Sequence, residues 1–122
     1  MTLDPRLLTV VEAARSKKAF GIRLLDVQGL ASFADTFAFM SGGSDRQNRA
    51  IGEAIEEALR LKGERPLSYE GDQGGQWILL DYGDLIVHVM DEDTRRHYNL
   101  EGLWNAGRDL KLPPEIPVSP AN

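Results

Sequence analysis

Apolar residues along the chain switch between helical spacing and the continuous or alternating runs expected of strands. Asp4 followed by Pro5 matches a helix N-cap with proline at the first helical position. Leu7, Leu8, Val11 and Ala14 then recur at helical spacing, and Lys17 and Lys18 suit the C-terminal end of the dipole. After Gly21, Ile22 to Val27 reads as a strand, and Asp35 to Met40 as a second whose faces are both largely apolar, which places it centrally in a sheet. Ser44-Asp45-Arg46-Gln47 is a capping box in which the serine hydroxyl and the glutamine side chain satisfy reciprocal backbone donors. It predicts a helix with the stripe Ala50, Ile51, Ala54, Ile55, Ala58 and Leu59, stopped at Gly63. Leu67 and Tyr69, among polar neighbours, predict a short strand near an edge.

The clearest pattern lies between Trp77 and Met90, where two apolar runs rich in β-branched residues flank the polar turn Asp81-Tyr82-Gly83-Asp84 and predict a hairpin. Asp91 to Thr94 then caps a short helical segment carrying Arg95 to Tyr98, and a second short helix holds Leu100 to Trp104. From Pro113 the chain contains Pro114, Pro117 and Pro120 with few packing residues, so an extended, poorly ordered tail is expected. The order α-β-β-α-β-β-β-α predicts a mixed sheet of about five strands with flanking helices, an α/β or α+β protein. A parallel crossover needs the intervening helix, whereas the late hairpin is antiparallel.

Composition narrows the picture. The 122 residues fit one domain with a two-layer core, and 42% hydrophobic with 27% charged residues is too apolar for disorder. No apolar run approaches bilayer length, so a soluble protein is expected. The absence of cysteine excludes disulfides, thiolate catalysis and thiolate metal sites, and fits a reducing compartment. Residues 1–18 resemble neither a secretion signal nor a transit peptide, so the cytoplasm is the expected location. With a net charge of -5 and no basic stripe, a nucleic-acid interface is not expected.

Candidate chemistry is sparse. Ser41-Gly42-Gly43-Ser44 between a strand and a helix could cradle a phosphate, but it lacks the lysine of a phosphate-binding loop and the spacing of a dinucleotide fingerprint, so plain capping is favoured. The same strand, turn and helix resemble the nucleotidyltransferase fold, whose enzymes use paired carboxylates to hold magnesium. Asp81 and Asp84 are the tempting pair, yet aspartate flanking a glycine turn is favoured for its local backbone bonds. His88 on an apolar strand reads as a hydrogen-bonded core residue, and His97 has no partner at metal-ligand spacing. No catalytic residue, metal site or cofactor is assigned. Trp77, Tyr82, Tyr98 and Trp104 are the large amphipathic groups that anchor protein interfaces when exposed. The core is favoured for Trp104, and both readings stay open for Trp77.

The ordered blocks Leu25 to Leu30, Ala34 to Phe37, Ser41 to Gln47, Trp77 to Met90 and Tyr98 to Trp104 together resemble the ribosomal silencing factor family, also called Iojap-like proteins. The likeness covers Leu3 to Trp104, with the domain set at residues 1–112 and the tail at 113–122. The resemblance implies a nucleotidyltransferase-like fold without the enzyme's catalytic carboxylates. It implies binding to the fourteenth large-subunit ribosomal protein, on the face that meets the small subunit, and hence a steric block to subunit joining when nutrients are scarce. It leaves open a homodimer in the free state. Carried over by position, Trp77, Tyr82, Asp84 and Tyr98 are the expected partner-binding residues. The alternative is a nucleotide-binding or nucleotidyltransferase-type enzyme using Asp81 and Asp84. Gln76, Asn48 and Gly102 depart from the family's usual residues.

Overall fold

The computed structural model describes residues 3–71 and 74–115. Helix α1 (Pro5–Ser16) leads into strands β1 (Phe20–Asp26) and β2 (Thr36–Ser41), then helix α2 (Asp45–Arg60) and strands β3 (Ser68–Gly71), β4 (Trp77–Asp81) and β5 (Leu85–Met90). Two short helices, α3 (Glu92–Tyr98) and α4 (Leu100–Leu103), precede a last strand, β6 (Arg108–Leu110). The six strands form one mixed sheet in the order β3-β4-β5-β2-β1-β6. The pair β2·β5 is parallel and the other four pairs are antiparallel. The expected single-domain α+β sheet is therefore present, with β2 central and β3 at an edge. The sheet has six strands rather than about five, because Arg108-Asp109-Leu110 is too short and too charged to carry a strand signal.

Local chemistry explains the element ends. Asp4 accepts the Arg6 N–H at 2.8 Å to start α1, and Ser44 Oγ accepts the Gln47 N–H at 3.1 Å to start α2. The other half of the expected capping box is displaced by one residue. Gln47 Oε1 accepts from the Gly43 N–H at 2.6 Å, while its amide donates to the carbonyls of Lys17 and Lys18 and ties the end of α1 to this turn. Gly63, at φ +87°, ends α2 as expected, with the Glu64 N–H returning to the Leu59 carbonyl. In the β4–β5 turn, Asp81 Oδ1 accepts the Gly83 N–H at 2.7 Å, the local bond that favours aspartate there.

The sheet has two unlike faces. Helices α1 and α2 pack side by side over one of them, where Leu7, Val10, Val11, Ile51, Ile55 and Leu59 meet Leu24, Met40, Leu80, Leu85, Val87 and Val89. The other face carries Leu25, Phe37, Phe39, Ile86 and Met90, covered in part by the loop after β1 and by α3 and α4. At the C-terminal end, Leu112 packs on the helical side and the Pro113 carbonyl accepts a 2.8 Å bond from Arg15. The rest of the expected tail, residues 116–122, lies outside the described residues.

Candidate interaction surface

Strand alternation decides which side chains reach the second face. Opposite one another across β4 and β5, Trp77 pairs with Met90 and Leu79 with His88. The parallel register sets His88 beside Phe39 of β2. The result is a continuous aromatic row. Phe33 meets Trp104 at 5.9 Å between ring centroids, Trp104 meets Phe37 edge-on at 5.2 Å, and Phe39 stacks on His88 at 5.2 Å. Trp77 then follows His88 at 5.9 Å, and Tyr98 of α3 lies 5.0 Å from Trp77.

His88 is buried, 7% exposed, and its Nδ1 accepts the Trp77 indole N–H at 3.1 Å. Because an indole only donates, Nδ1 is unprotonated and the ring proton of neutral His88 sits on Nε2. Desolvation pushes its pKa down to about 4, so the ring is neutral at physiological pH. His88 is thus the hydrogen-bonded core histidine expected, and it also fixes the indole of Trp77.

Trp77 is half-buried and Tyr98 is 55% exposed, and a groove between them and Glu70, Gly71 and Leu79 opens to solvent. Phe33 is 58% exposed at the other end of the row, next to half-buried Trp104. No alternation or spacing marks Phe33, because it sits in a loop. Its nearness to Trp104 exists only in the folded chain.

The four sequence-predicted residues separate into two groups. Trp77 and Tyr98 come together, but Tyr82 and Asp84 lie in the hairpin turn at the far end of β4. Tyr82 is 9% exposed and its ring belongs to the helix-side cluster, so it presents less surface than Trp77 or Tyr98. Its hydroxyl has no hydrogen-bond partner among the described residues, and burial pushes its pKa up to about 12. Asp84 is exposed but engaged. Its two oxygens accept from Arg6 of α1 at 2.9 and 2.8 Å, and this guanidinium holds the carboxyl below the usual carboxylate range. Asp84 therefore ties the hairpin turn to α1.

The groups named for the enzymatic alternative take part in local structure. The Gly42 N–H donates to Asn48 Oδ1 at 2.9 Å and the Gly43 N–H to Gln47 Oε1 at 2.6 Å, so the two glycine donors of the turn are engaged within the fold. A Cβ on Gly42 would lie 2.5 Å from that same Asn48 oxygen, which shows how closely the turn wraps the side chain. Fully buried Asn48 also donates to the Gly75 carbonyl at 3.0 Å and thereby joins the β2–α2 turn to the approach to β4. A polar residue at this position on α2 is the departure visible in sequence, and the two backbone partners are its physical reason. Asp81 is occupied by Gly83 and Asp84 by Arg6.

Comparison with known proteins agrees with this arrangement. The family described as ribosomal silencing factor during starvation matches residues 2–121. A ribosomal silencing factor of Halalkalibacterium halodurans is 34% identical over 112 residues, 92% of this chain and 96% of that protein. That of Bacillus subtilis is 39% identical over 92 residues, covering 75% of this chain and 78% of the relative. A mouse protein named mitochondrial assembly of ribosomal large subunit protein 1 is 28% identical over 98 residues, which are 78% of this chain and 43% of its own length. A crystal structure of a protein from Chromobacterium violaceum superposes with a TM-score of 0.81 at 30% identity, covering 99% of this chain and 97% of its own. With the family match spanning nearly every residue, the chain belongs to the ribosomal silencing factor family.

Proposed function

We propose that this chain is a non-catalytic, steric regulator of translation. It binds the large ribosomal subunit through the fourteenth large-subunit ribosomal protein and blocks joining of the small subunit when nutrients are limiting. The observation that carries the reading is the half-exposed Trp77–Tyr98 pair on the sheet face opposite α1 and α2, where the described helices are the short α3 and α4. Tryptophan and tyrosine are the residues that most often dominate protein interfaces, and an aromatic groove of this kind suits a protein partner. The net charge of -5 favours docking on a basic ribosomal protein over direct contact with RNA phosphate. The mouse relative's name, which refers to the large subunit, supports the choice of subunit. The reading requires no cofactor, places the protein in the cytoplasm with ribosomes, and allows a free-state homodimer that would have to release before docking.

Sedimentation of the purified protein with separated subunits tests this. It should travel with large subunits and lower the yield of joined ribosomes when small subunits are added. Sedimentation with small subunits alone, or with neither, would sink the proposal. Magnesium with a nucleoside triphosphate should leave the melting temperature unchanged, whereas a ligand of the native state would raise it.

A further inference from the structure

Helices α3 and α4 carry Tyr98 and cover the aromatic face, yet neither buries a residue of its own. Leu100 and Trp104 lean on the apolar cluster downstream of Tyr98. Upstream, the attachment is polar: the Asp91 N–H at the start of α3 donates to the Gln76 carbonyl at 3.0 Å, and Arg95 supplies side-chain bonds to two other elements. Arg95 Nε donates to Glu101 Oε1 of α4 at 2.6 Å, and its Nη1 donates at 3.1 Å to the hydroxyl of Ser41, a fully buried residue at the end of β2. Glu101 in turn accepts from Arg23 of β1 at 3.4 Å, and Arg23 grips Asp109 of β6 at 2.6 and 3.1 Å. One chain of charge thus links α3, α4, β1, β2 and β6.

The Arg95 and Glu101 side chains are only 15% and 22% exposed, so their charge-assisted bond lies partly out of water, where such bonds are stronger. Local sequence makes room for it. A Cβ on Gly21 would stand 2.9 Å from Arg95 Nη1, and the +61° φ of Gly21 suits glycine in any case. On α3, Arg95 and Tyr98 are three residues apart and share one side of the helix. Holding the arginine therefore holds the tyrosine.

We propose that Arg95 is a positioning residue for the interaction surface: by gripping Ser41 and Glu101 it fixes α3 so that Tyr98 closes on Trp77, without itself meeting the partner. This rests on the reading of the Trp77–Tyr98 pair as the docking point for the large subunit. The test compares full-length Arg95→Ala, Arg95→Lys and Glu101→Gln by two readouts, the NMR signals of the Trp77 indole N–H and Tyr98 ring, and sedimentation with large subunits. Arg95→Ala should move both NMR signals while leaving the methyl signals of Ile55 on the helical side in place, and should weaken subunit binding about tenfold. Lysine, which retains the charge and can reach one of the two acceptors, should recover part of both effects, and Glu101→Gln should fall between wild type and Arg95→Ala. Unmoved Trp77 and Tyr98 signals in folded Arg95→Ala, or moved signals with unchanged binding, would overturn the proposal. If Arg95→Ala does not fold, Arg95→Lys and Glu101→Gln decide by the same criteria. If the wild-type protein fails to bind large subunits, the docking reading falls. The NMR readout still decides whether Arg95 sets the aromatic pair.

Discussion

The two faces of this sheet are built from the same strands but completed in different ways. On one, α1 and α2 lay down apolar stripes of Leu, Ile, Val and Ala that seal a mainly aliphatic layer. On the other, aromatic rings and one histidine are sheltered by a loop and by two short helices that hold no fully buried residue. A sealed face contributes stability and little else. A face left half-covered keeps large rings within reach of a partner, and its own order depends on hydrogen bonds such as Trp77 to His88 and ion pairs such as Arg95 to Glu101. Stability and binding should therefore separate by face, and substitutions can test that division.

The largest effect belongs to the sealed face. Leu80 is fully buried beneath α2, and Leu80→Ala should lower folding stability by about 2–5 kcal/mol through lost contacts and a residual cavity. Subunit affinity of the fraction that remains folded should match wild type, as measured by chemical denaturation beside sedimentation. A selective loss of affinity would break the division.

The second effect is a pH response confined to the aromatic face. His88 has its pKa depressed by burial from 6.5 to about 4, whereas the unfolded chain titrates near the ordinary value. Across that window the unfolded state binds more protons, so stability is fully present above about pH 6.5 and falls as the pH drops toward 4. At about 1.4 kcal/mol per pH unit, the loss approaches roughly 3 kcal/mol. Urea midpoints from pH 7 to 4.5 should show this slope in wild type and a much shallower one in His88→Gln. Equal slopes would mean that His88 is protonated without cost.

The sequence makes the sealed face legible for a simple reason: helical stripes and strand alternation record which side chain faces the core. Both long helices, the hairpin and the central position of β2 follow from that periodicity. The second face is only partly legible. Trp77 and Tyr98 are identifiable as large amphipathic groups, but Tyr82 is indistinguishable from them in sequence. Its burial depends on how the hairpin turn meets the helical layer. Phe33 joins the row through a loop, and the Arg95 bonds span 54 residues to Ser41 and 6 to Glu101, beyond any local pattern. Strand β6 is similarly specified by its partner β1, through Arg23–Asp109 and Arg108–Asp26, more than by its own three residues.

For binding, the leading test is Trp77→Ala. Truncating a desolvated interface tryptophan should weaken large-subunit binding by about 2 kcal/mol or more, roughly thirtyfold. Because Trp77 is half-buried, its folding cost should stay below the roughly 3–5 kcal/mol typical of a core tryptophan. Melting by circular dichroism beside subunit binding separates the two terms. A sharply lowered melting temperature with unchanged affinity would assign Trp77 to the core instead.

The smallest effects should come from the hairpin turn, remote from the aromatic pair. Asp84→Asn breaks an ion pair whose side chains are 18% and 49% exposed, so about 0.2–1 kcal/mol of stability is at stake. Arg6 lowers the carboxyl pKa in the folded state, which fixes the sign: the contribution is present above the ordinary carboxylate value and disappears as pH falls through the lowered one. Wild type and Asp84→Asn should therefore differ slightly in urea midpoint at pH 7 and converge in strong acid. Tyr82→Phe, which removes a buried hydroxyl without a partner among the described residues, should be neutral or mildly stabilising. Neither variant should alter subunit binding, since both residues stand away from the Trp77–Tyr98 groove. A tenfold loss of affinity from either one would extend the interface to the turn and end the separation of the two faces.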